Sequence, residues 1–250
     1  MIQFQDVSFK YKNGKYAVQD LSFSIQKNEC FVLIGPSGCG KTTTIKLLNR
    51  LIQATDGVIL YDDKNIKNYD QHKFRREIGY VIQQIALFPH LNVEENISIV
   101  PELKKWNKTQ IKARVAELLE LVKLNPLEFS KRSISELSGG QQQRVGVARA
   151  LAGEPNLILM DEPFSALDPV TRIELQKDLK VLKNKINKTI LLVTHDLDEA
   201  FFLGDRIGIM HEGELVQIGT KNELLNNPIN QFVEQFLQNY REKNVVKEGI

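Results

Sequence analysis

The sequence has few of the features that mark secreted or membrane-spanning proteins. Only two cysteines, Cys30 and Cys39, occur in 250 residues, which is too few for a disulfide framework and fits a reducing cytoplasm. No apolar run approaches the roughly 18 residues that cross a bilayer, and the N-terminal segment lacks a basic flank followed by an apolar stretch. The sequence therefore predicts a cytoplasmic chain that would serve a membrane only through a partner.

A strong excess of charge of one sign is also missing. The chain has 33 basic and 31 acidic residues and a net charge of +2. Proteins that bind the phosphate backbone of nucleic acids usually present a broad basic surface, so we expect no nucleic-acid partner. The apolar content of 42% is sufficient for a full globular core.

Three unbroken apolar runs are present, at residues 31–34, 157–160 and 190–193. Such runs are typical of parallel strands covered on both faces, and segments with helical apolar spacing separate them. Residues near the N-terminus alternate between apolar and polar, which is typical of antiparallel sheet. The sequence predicts an α/β fold with a mainly parallel core sheet and an N-terminal antiparallel β subdomain.

Helical spacing without a buried strand extends from about residue 85 to about residue 150. We expect this segment to form a helical subdomain that is inserted in the core. The predicted organisation is one domain over residues 1–240, which contains this insert, followed by a charged C-terminal tail at residues 241–250.

A glycine-rich stretch, "GPSGCGKT" at residues 35–42, follows the first apolar run. It matches the pattern Gly-x-x-x-x-Gly-Lys-Thr, in which backbone N–H groups wrap around a phosphate chain and the lysine adds a positive charge. The pattern predicts a nucleotide-binding loop. Its candidate nucleotide contacts are Gly35, Pro36, Ser37, Gly38, Cys39, Gly40, Lys41, Thr42 and Thr43.

The second apolar run leads into two carboxylates, in "LILMDEP" at residues 157–163. Hydrolysis of a phosphate chain uses a carboxylate that holds Mg²⁺ and a group that directs the attacking water. Asp161, together with Thr42, is the candidate metal ligand, and Glu162 is the candidate general base. A second interpretation is that the two acids only cap a following helix.

A third motif, "LSGGQ" at residues 137–141, occurs by chance in roughly one chain in a few thousand. Ser138 can cap a helix there, while Gly139 and Gly140 leave the helix N–H groups open to a phosphate. With "SALD" at residues 165–168 and "TH" ending at His195, the motifs resemble, in order, those of the ATP-binding subunits of ABC transporters. The resemblance covers nearly all of residues 1–225.

This resemblance implies that two copies of the chain bind ATP and Mg²⁺ head to tail. Each ATP would lie between the Lys41 loop of one copy and the Ser138 motif of the other. The pairing explains why one chain carries two phosphate-binding devices. The nucleotide contacts of the second device would be Ser138, Gly139, Gly140 and Gln141.

Four further residues receive roles only through the resemblance. Tyr11 would stack on adenine, and Gln83 would contact Mg²⁺ and the attacking water. His195 would contact the γ-phosphate as a second catalytic residue, and Asp168 would couple the two sites across the dimer. Other interpretations stay open, namely packing for Tyr11, a shift of the glutamine role to Gln84, a structural histidine at position 195 and a helix N-cap at Asp168.

The segment at residues 78–106 resembles the corresponding stretch of the ATPases that energise import of glycine betaine, choline, carnitine and related quaternary amines. Within it, the resemblance places the surface that receives the permease at residues 83–106, the 83–106 segment. It thus implies a membrane permease as direct partner, a solute-binding protein or domain as indirect partner, and a peripheral position on the inner face of the cell membrane. Three alternatives stay open: import of another small solute such as an amino acid, a non-transport ABC ATPase that acts on cell-division machinery, and a P-loop kinase.

Overall fold

The N-terminal strands form the antiparallel sheet that their alternating pattern predicts. The computed structural model describes residues 1–83 and 86–248. Phe4 lies opposite Phe23 in neighbouring strands, and their rings stack with 4.5 Å between centroids. This sheet has the strand order β2-β1-β4-β5 and consists of β1 (Ile2–Lys10), β2 (Tyr16–Ile25), β4 (Asp56–Tyr61) and β5 (Lys64–Asn65).

Two compact units make up the chain, Met1–Asn68 with Leu191–Ile250 and, separately, Tyr69–Ile190. Besides the antiparallel sheet, the first unit contains β3 (Cys30–Ile34), β9 (Arg206–His211), β10 (Glu214–Gly219), α1 (Lys41–Leu48), α8 (Leu197–Leu203), α9 (Lys221–Asn226) and α10 (Gln231–Glu248). The strand β8 (Thr189–Thr194) begins in the second unit and continues into the first.

The strand β3 is buried and has a parallel neighbour, as its unbroken apolar run predicts. Every residue of β3 is buried, and β3 pairs in parallel with β9. β9 and β10 form a hairpin, in which Glu212 and Gly213 both have positive φ. Positive φ at both central residues is typical of the tight turn that matches the twist of paired strands.

The second unit combines parallel strands with helices. Its strands β6 (Ile78–Val81) and β7 (Leu157–Asp161) pair in parallel. Its helices are α2 (Gln71–Arg76), α3 (Val93–Leu103), α4 (Lys108–Leu121), α5 (Pro126–Phe129), α6 (Gly139–Ala152) and α7 (Pro169–Ile186). The helix α6 packs against α3 and α4, and the apolar side chains of Ile97, Leu118 and Val145 are fully buried.

The α/β fold class is confirmed, while the predicted domain boundaries stay a prediction. The helices α3 to α6 lie in the predicted helical segment, but the second compact unit also includes β6, β7 and α7. Residues 241–248 of the predicted tail continue α10, and residues 249–250 lie outside the described part. In the described part, none of the helices has both the length and the apolar character that crossing a membrane requires.

Candidate nucleotide-binding and hydrolysis site

The glycine-rich loop joins β3 to α1, and the β9–β10 hairpin packs against it. Gly35 packs so closely that a Cβ atom there would lie 2.1 Å from the carbonyl oxygen of Met210. At the tip of the hairpin, the N–H of Gly213 donates to the carbonyl oxygen of Cys39 at 3.2 Å. The path of the loop is therefore fixed by backbone contacts that only glycine permits at position 35.

Lys41 directs its ammonium group into this loop. Its Nζ donates to the carbonyl oxygens of Gly35 at 2.7 Å and Pro36 at 2.9 Å. The side chain is buried together with Cys39, and burial raises the pKa of the Cys39 thiol against the opposing effect of the Lys41 charge. The thiol is therefore protonated at neutral pH, and the ammonium group is the charge that the loop offers to a phosphate.

The start of α1 fits an anionic ligand. Gly40 is the N-cap residue, with φ of 105°, and this helix start, within the described residues, has no side-chain cap. Uncapped N–H groups and the positive end of the helix dipole attract phosphate groups. The loop, the helix start and Lys41 thus form a cradle whose chemistry suits the phosphate chain of ATP.

Gly40→Ala is expected to destabilise the fold more than Gly38→Ala. Both glycines have positive φ, at 105° and 79°, so alanine costs each about 1–2 kcal/mol. A Cβ at Gly40 would also lie 2.5 Å from the carbonyl oxygen of Ala17, whereas a Cβ at Gly38 would have no atom of the described residues beyond its chain neighbours within 4 Å. This overlap should add about 1–3 kcal/mol. Urea unfolding of both variants measures the difference, and equal losses would contradict the packing seen here.

Two other predicted residues of the first unit are exposed. The side chain of Tyr11 is 49% exposed and makes an edge contact with the ring of Phe9, so it is not a core residue. His195 follows β8 directly and is exposed as well. Neither exposure assigns a role, but both side chains are accessible to a ligand.

The two acidic residues after the second apolar run have different environments. Asp161 is the last residue of β7 and is buried. The pKa of Tyr80 is raised to about 12, mainly because Tyr80 is itself buried and secondly because the Asp161 charge acts on it. Carboxylate oxygens are the ligands that Mg²⁺ prefers, so Asp161 fits the predicted metal role chemically. Tyr80 was not predicted, because an aromatic residue within a strand gives no signal of a neighbouring carboxylate.

Glu162 has a strained backbone. Its φ is 46°, a left-handed conformation that residues other than glycine seldom adopt. The N–H and the hydroxyl of Ser165 both donate to its carbonyl oxygen, at 3.2 and 3.0 Å, and so hold the turn after β7. The two acids therefore do not simply start a helix, since α7 begins only at Pro169.

The structure brings Gln83 and Glu162 together. The Nε2 atom of Gln83 donates to Oε2 of Glu162 at 3.1 Å. Gln84, the alternative in the sequence, lies outside the described residues. The candidate base is thus linked to the residue that opens the 83–106 segment.

Ser138 is the N-cap of α6, and the cap is reciprocal. The N–H of Gln141 donates to Oγ of Ser138 at 3.3 Å, and the N–H of Ser138 donates to Oε1 of Gln141 at 2.9 Å. Within the described part of the chain, the contact of a Cβ at Gly139 would be with Leu167, at 3.7 Å, whereas a Cβ at Gly140 would lie 2.6 Å from Thr171. Gly139 thus leaves an open surface, while Gly140 is also required for packing against α7.

Asp168 caps α7, as the second interpretation of this residue predicted. Its Oδ1 accepts from the N–H of Thr171 at 3.0 Å, and Pro169 occupies the first helical position. The hydrogen bonds from Thr171 lower the pKa of Asp168, so the carboxylate is charged at neutral pH. Any coupling role across a dimer stays a prediction.

Sequence reasoning missed two buried polar residues beside His195, Thr194 and Glu199. The "Asp-x-x-Glu" spacing at residues 196–199 signals the start of a helix, and α8 does begin there with Asp196 as N-cap. The spacing gives no sign, however, that the Glu199 side chain turns inward toward Thr194.

The fold and the glycine loop are those of an α/β protein of the P-loop type. A family model described as ABC transporter matches residues 18–165, which is more than half of the chain. The chain belongs to the ABC transporter family.

Similar curated proteins agree with this assignment. The chain is 56% identical over 237 residues to the glycine betaine/carnitine/choline transport ATP-binding protein OpuCA of Bacillus subtilis, a match that covers 95% of this chain and 62% of the relative. It is 55% identical, with the same coverage, to the choline transport ATP-binding protein OpuBA of Bacillus subtilis. The chain therefore spans about three-fifths of the length of these relatives.

A solved structure gives the same fold. The ATP-binding cassette MJ0796, in a dimeric post-hydrolysis state bound to ADP and Pi, is 34% identical and has a TM-score of 0.78. The match covers 88% of this chain and 98% of the other. The prediction of an ABC ATPase fold is thereby confirmed.

Proposed function

We propose that this chain binds and hydrolyses ATP as the motor subunit of an importer. The observation that carries the proposal is the phosphate cradle, in which the Lys41 ammonium group lies inside a glycine loop at the uncapped start of α1. Membership of the ABC transporter family supports ATP as the ligand, as does the bound ADP and Pi of the related cassette.

In the proposed hydrolysis of ATP, each side chain of the site has a separate chemical role. The Glu162 carboxylate accepts a proton from the attacking water, Lys41 stabilises the charge that develops on the phosphate oxygens, and His195 contacts the γ-phosphate. Thr42, Asp161 and Gln83 would hold Mg²⁺, which supplies further positive charge when it is bound. The bond between Gln83 and Glu162 supports a shared role for these two residues.

We infer that the working unit is a dimer, with ATP between the Lys41 loop of one copy and the Ser138 motif of the other. Support comes from the open surface at Gly139 and the exposed position of Ser138 at the start of α6. The related cassette MJ0796 is itself a dimer in its post-hydrolysis state, which is consistent with this arrangement.

Ser138→Arg is expected to abolish ATP-dependent dimerisation while each monomer still binds ATP, because the new side chain would fill the space of the phosphate. The measurement is sedimentation of the chain with MgATP in a Glu162→Gln background, which slows hydrolysis. Thr220→Arg is the matched control, since it removes an equivalent reciprocal cap at α9. Dimers that persist in the Ser138 variant would contradict the head-to-tail arrangement.

The proposed contact with the membrane permease is the 83–106 segment. A groove of about 330 Å³ in the second unit has a lining that includes Tyr80, Phe88, Val100 and Arg149. Phe88 is 45% exposed, and burial lowers the pKa of Arg149. Through such a contact the chain would be held at the inner face of the membrane, with a solute-binding protein or domain as indirect partner.

The proposed cargo is a quaternary amine such as glycine betaine, choline or carnitine, as the names of the relatives suggest. We expect membrane vesicles that contain this chain and its permease to accumulate at least one of these three labelled amines when ATP is supplied inside. Uptake of a labelled amino acid, with none of the amines, would overturn the cargo but leave the ATPase proposal intact. The Glu162→Gln chain is the control, because it should support no uptake.

A further inference from the structure

The turn that carries His195 rests on two buried polar side chains. β8 ends at Thr194 and α8 begins at Leu197, so His195 lies in the short link between them. His195 itself is exposed, whereas Thr194 and Glu199 are only 2% and 4% exposed. The exposed His195 thus lies in a turn whose supporting side chains, Thr194 and Glu199, are buried.

Glu199 bonds to both chain neighbours of His195. Its Oε2 accepts a hydrogen bond from Oγ1 of Thr194 at 3.0 Å. Its backbone N–H donates to Oδ1 of Asp196 at 3.3 Å. The residues before and after the histidine are therefore tied to the same point in α8.

The Thr194 hydroxyl closes the turn. Its oxygen accepts the N–H of Asp196 at 3.0 Å, while its single proton goes to Glu199. A hydroxyl has only one proton to donate, so these two bonds together fix its orientation. In a usual capping box the glutamate side chain accepts a hydrogen bond from the N–H of the N-cap residue. Here the Thr194 hydroxyl accepts the bond from the N–H of Asp196, and Glu199 accepts the bond from the Thr194 hydroxyl.

A buried carboxyl group is unfavourable at this position unless its hydrogen bonds compensate for the loss of water. An apolar side chain would fill the position without that penalty. It could not accept the Thr194 proton, however, and the hydroxyl would then be free to rotate away from Asp196. What the carboxylate adds is a defined backbone path through His195.

We propose that Glu199 is a positioning residue for His195 that acts through Thr194 and Asp196. The inference rests on the proposed function, in which His195 contacts the γ-phosphate of ATP. Glu199 is itself buried and would act on the histidine only through these bonds. It holds the turn so that the imidazole is presented in one direction, and displacements of 1 Å in such groups can cost a reaction about 10²-fold.

The test compares side chains that keep or remove each bond, using kcat and KM for MgATP hydrolysis by the 250-residue chain. Thr194→Val keeps the shape and removes the hydroxyl, while Thr194→Ser keeps the hydroxyl. Glu199→Leu removes the acceptor, and Glu199→Gln keeps an acceptor oxygen. His195→Ala sets the size of the full effect, and circular dichroism confirms that each variant is folded.

We expect Thr194→Val and Glu199→Leu to lower kcat about tenfold with KM nearly unchanged, and the serine and glutamine variants to stay near wild type, since only the placement of His195 is lost. Adding Thr194→Val to His195→Ala should cause no further loss. A folded Thr194→Val with wild-type kcat, beside an impaired His195→Ala, would overturn this inference and leave the ATPase proposal standing. A wild-type chain without hydrolysis would overturn the ATPase proposal itself.

Discussion

Glu162→Gln is expected to bind MgATP with nearly unchanged affinity and to hydrolyse it about 10²- to 10⁴-fold more slowly, the usual cost of removing a general base. Glutamine has almost the same shape, but its amide does not take a proton from water. Its oxygen can still accept the hydrogen bond that Gln83 gives to Oε2, so the local structure should be preserved. Calorimetry measures the binding, and phosphate release measures the turnover.

A matched substitution separates this effect from a general loss of acidic charge. Glu174 is exposed on α7, and Glu174→Gln should leave turnover within about twofold of wild type, as most surface substitutions have small effects. Near-normal turnover in the Glu162 variant would mean that another group accepts the proton, and the assignment of the base would be wrong.

Lys41→Ala should weaken MgATP binding about 10- to 150-fold, because a hydrogen bond to a charged group contributes about 1.5–3 kcal/mol. The loss should lie toward the upper end of this range. Nζ also donates hydrogen bonds to the carbonyl oxygens of Gly35 and Pro36. Its removal therefore takes away two bonds that hold the loop, in addition to the positive charge. Titration calorimetry with MgATP measures the affinity directly.

Lys46 provides the control for this experiment, since it lies on the same helix but is exposed. Lys46→Ala removes an equal charge from α1 and should change the affinity by less than about twofold, because exposed charges are screened by solvent and salt. An unchanged affinity in the Lys41 variant would show that the loop is not the phosphate site.

Much of the fold follows from patterns a few residues long. The unbroken runs at residues 31–34 and 157–160 predicted buried parallel strands, and β3 and β7 are buried throughout. Spacing within the motifs predicted the cap by Ser138 and the alternative cap by Asp168, and both caps are present. These features depend on neighbours along the chain, so the order of residues is enough to find them.

The roles of the site residues toward the nucleotide are predicted from a different source than the fold. The structure gives the surroundings of Lys41, Glu162 and His195, whereas their roles toward the nucleotide come from the resemblance. Burial and hydrogen bonds show what each side chain can do chemically, and only the effect of its substitution on binding and turnover tests what it does.

The sequence by itself determined the class of fold, the family and the phosphate loop, because each can be recognised from patterns that are only a few residues long. Only the tertiary structure decided which distant side chains meet. Gln83 and Glu162 are 79 positions apart, and the pattern around Glu199 does not tell whether its carboxylate faces solvent or Thr194. Such contacts depend on how strands and helices pack, and packing sums many weak interactions that no single stretch of sequence contains.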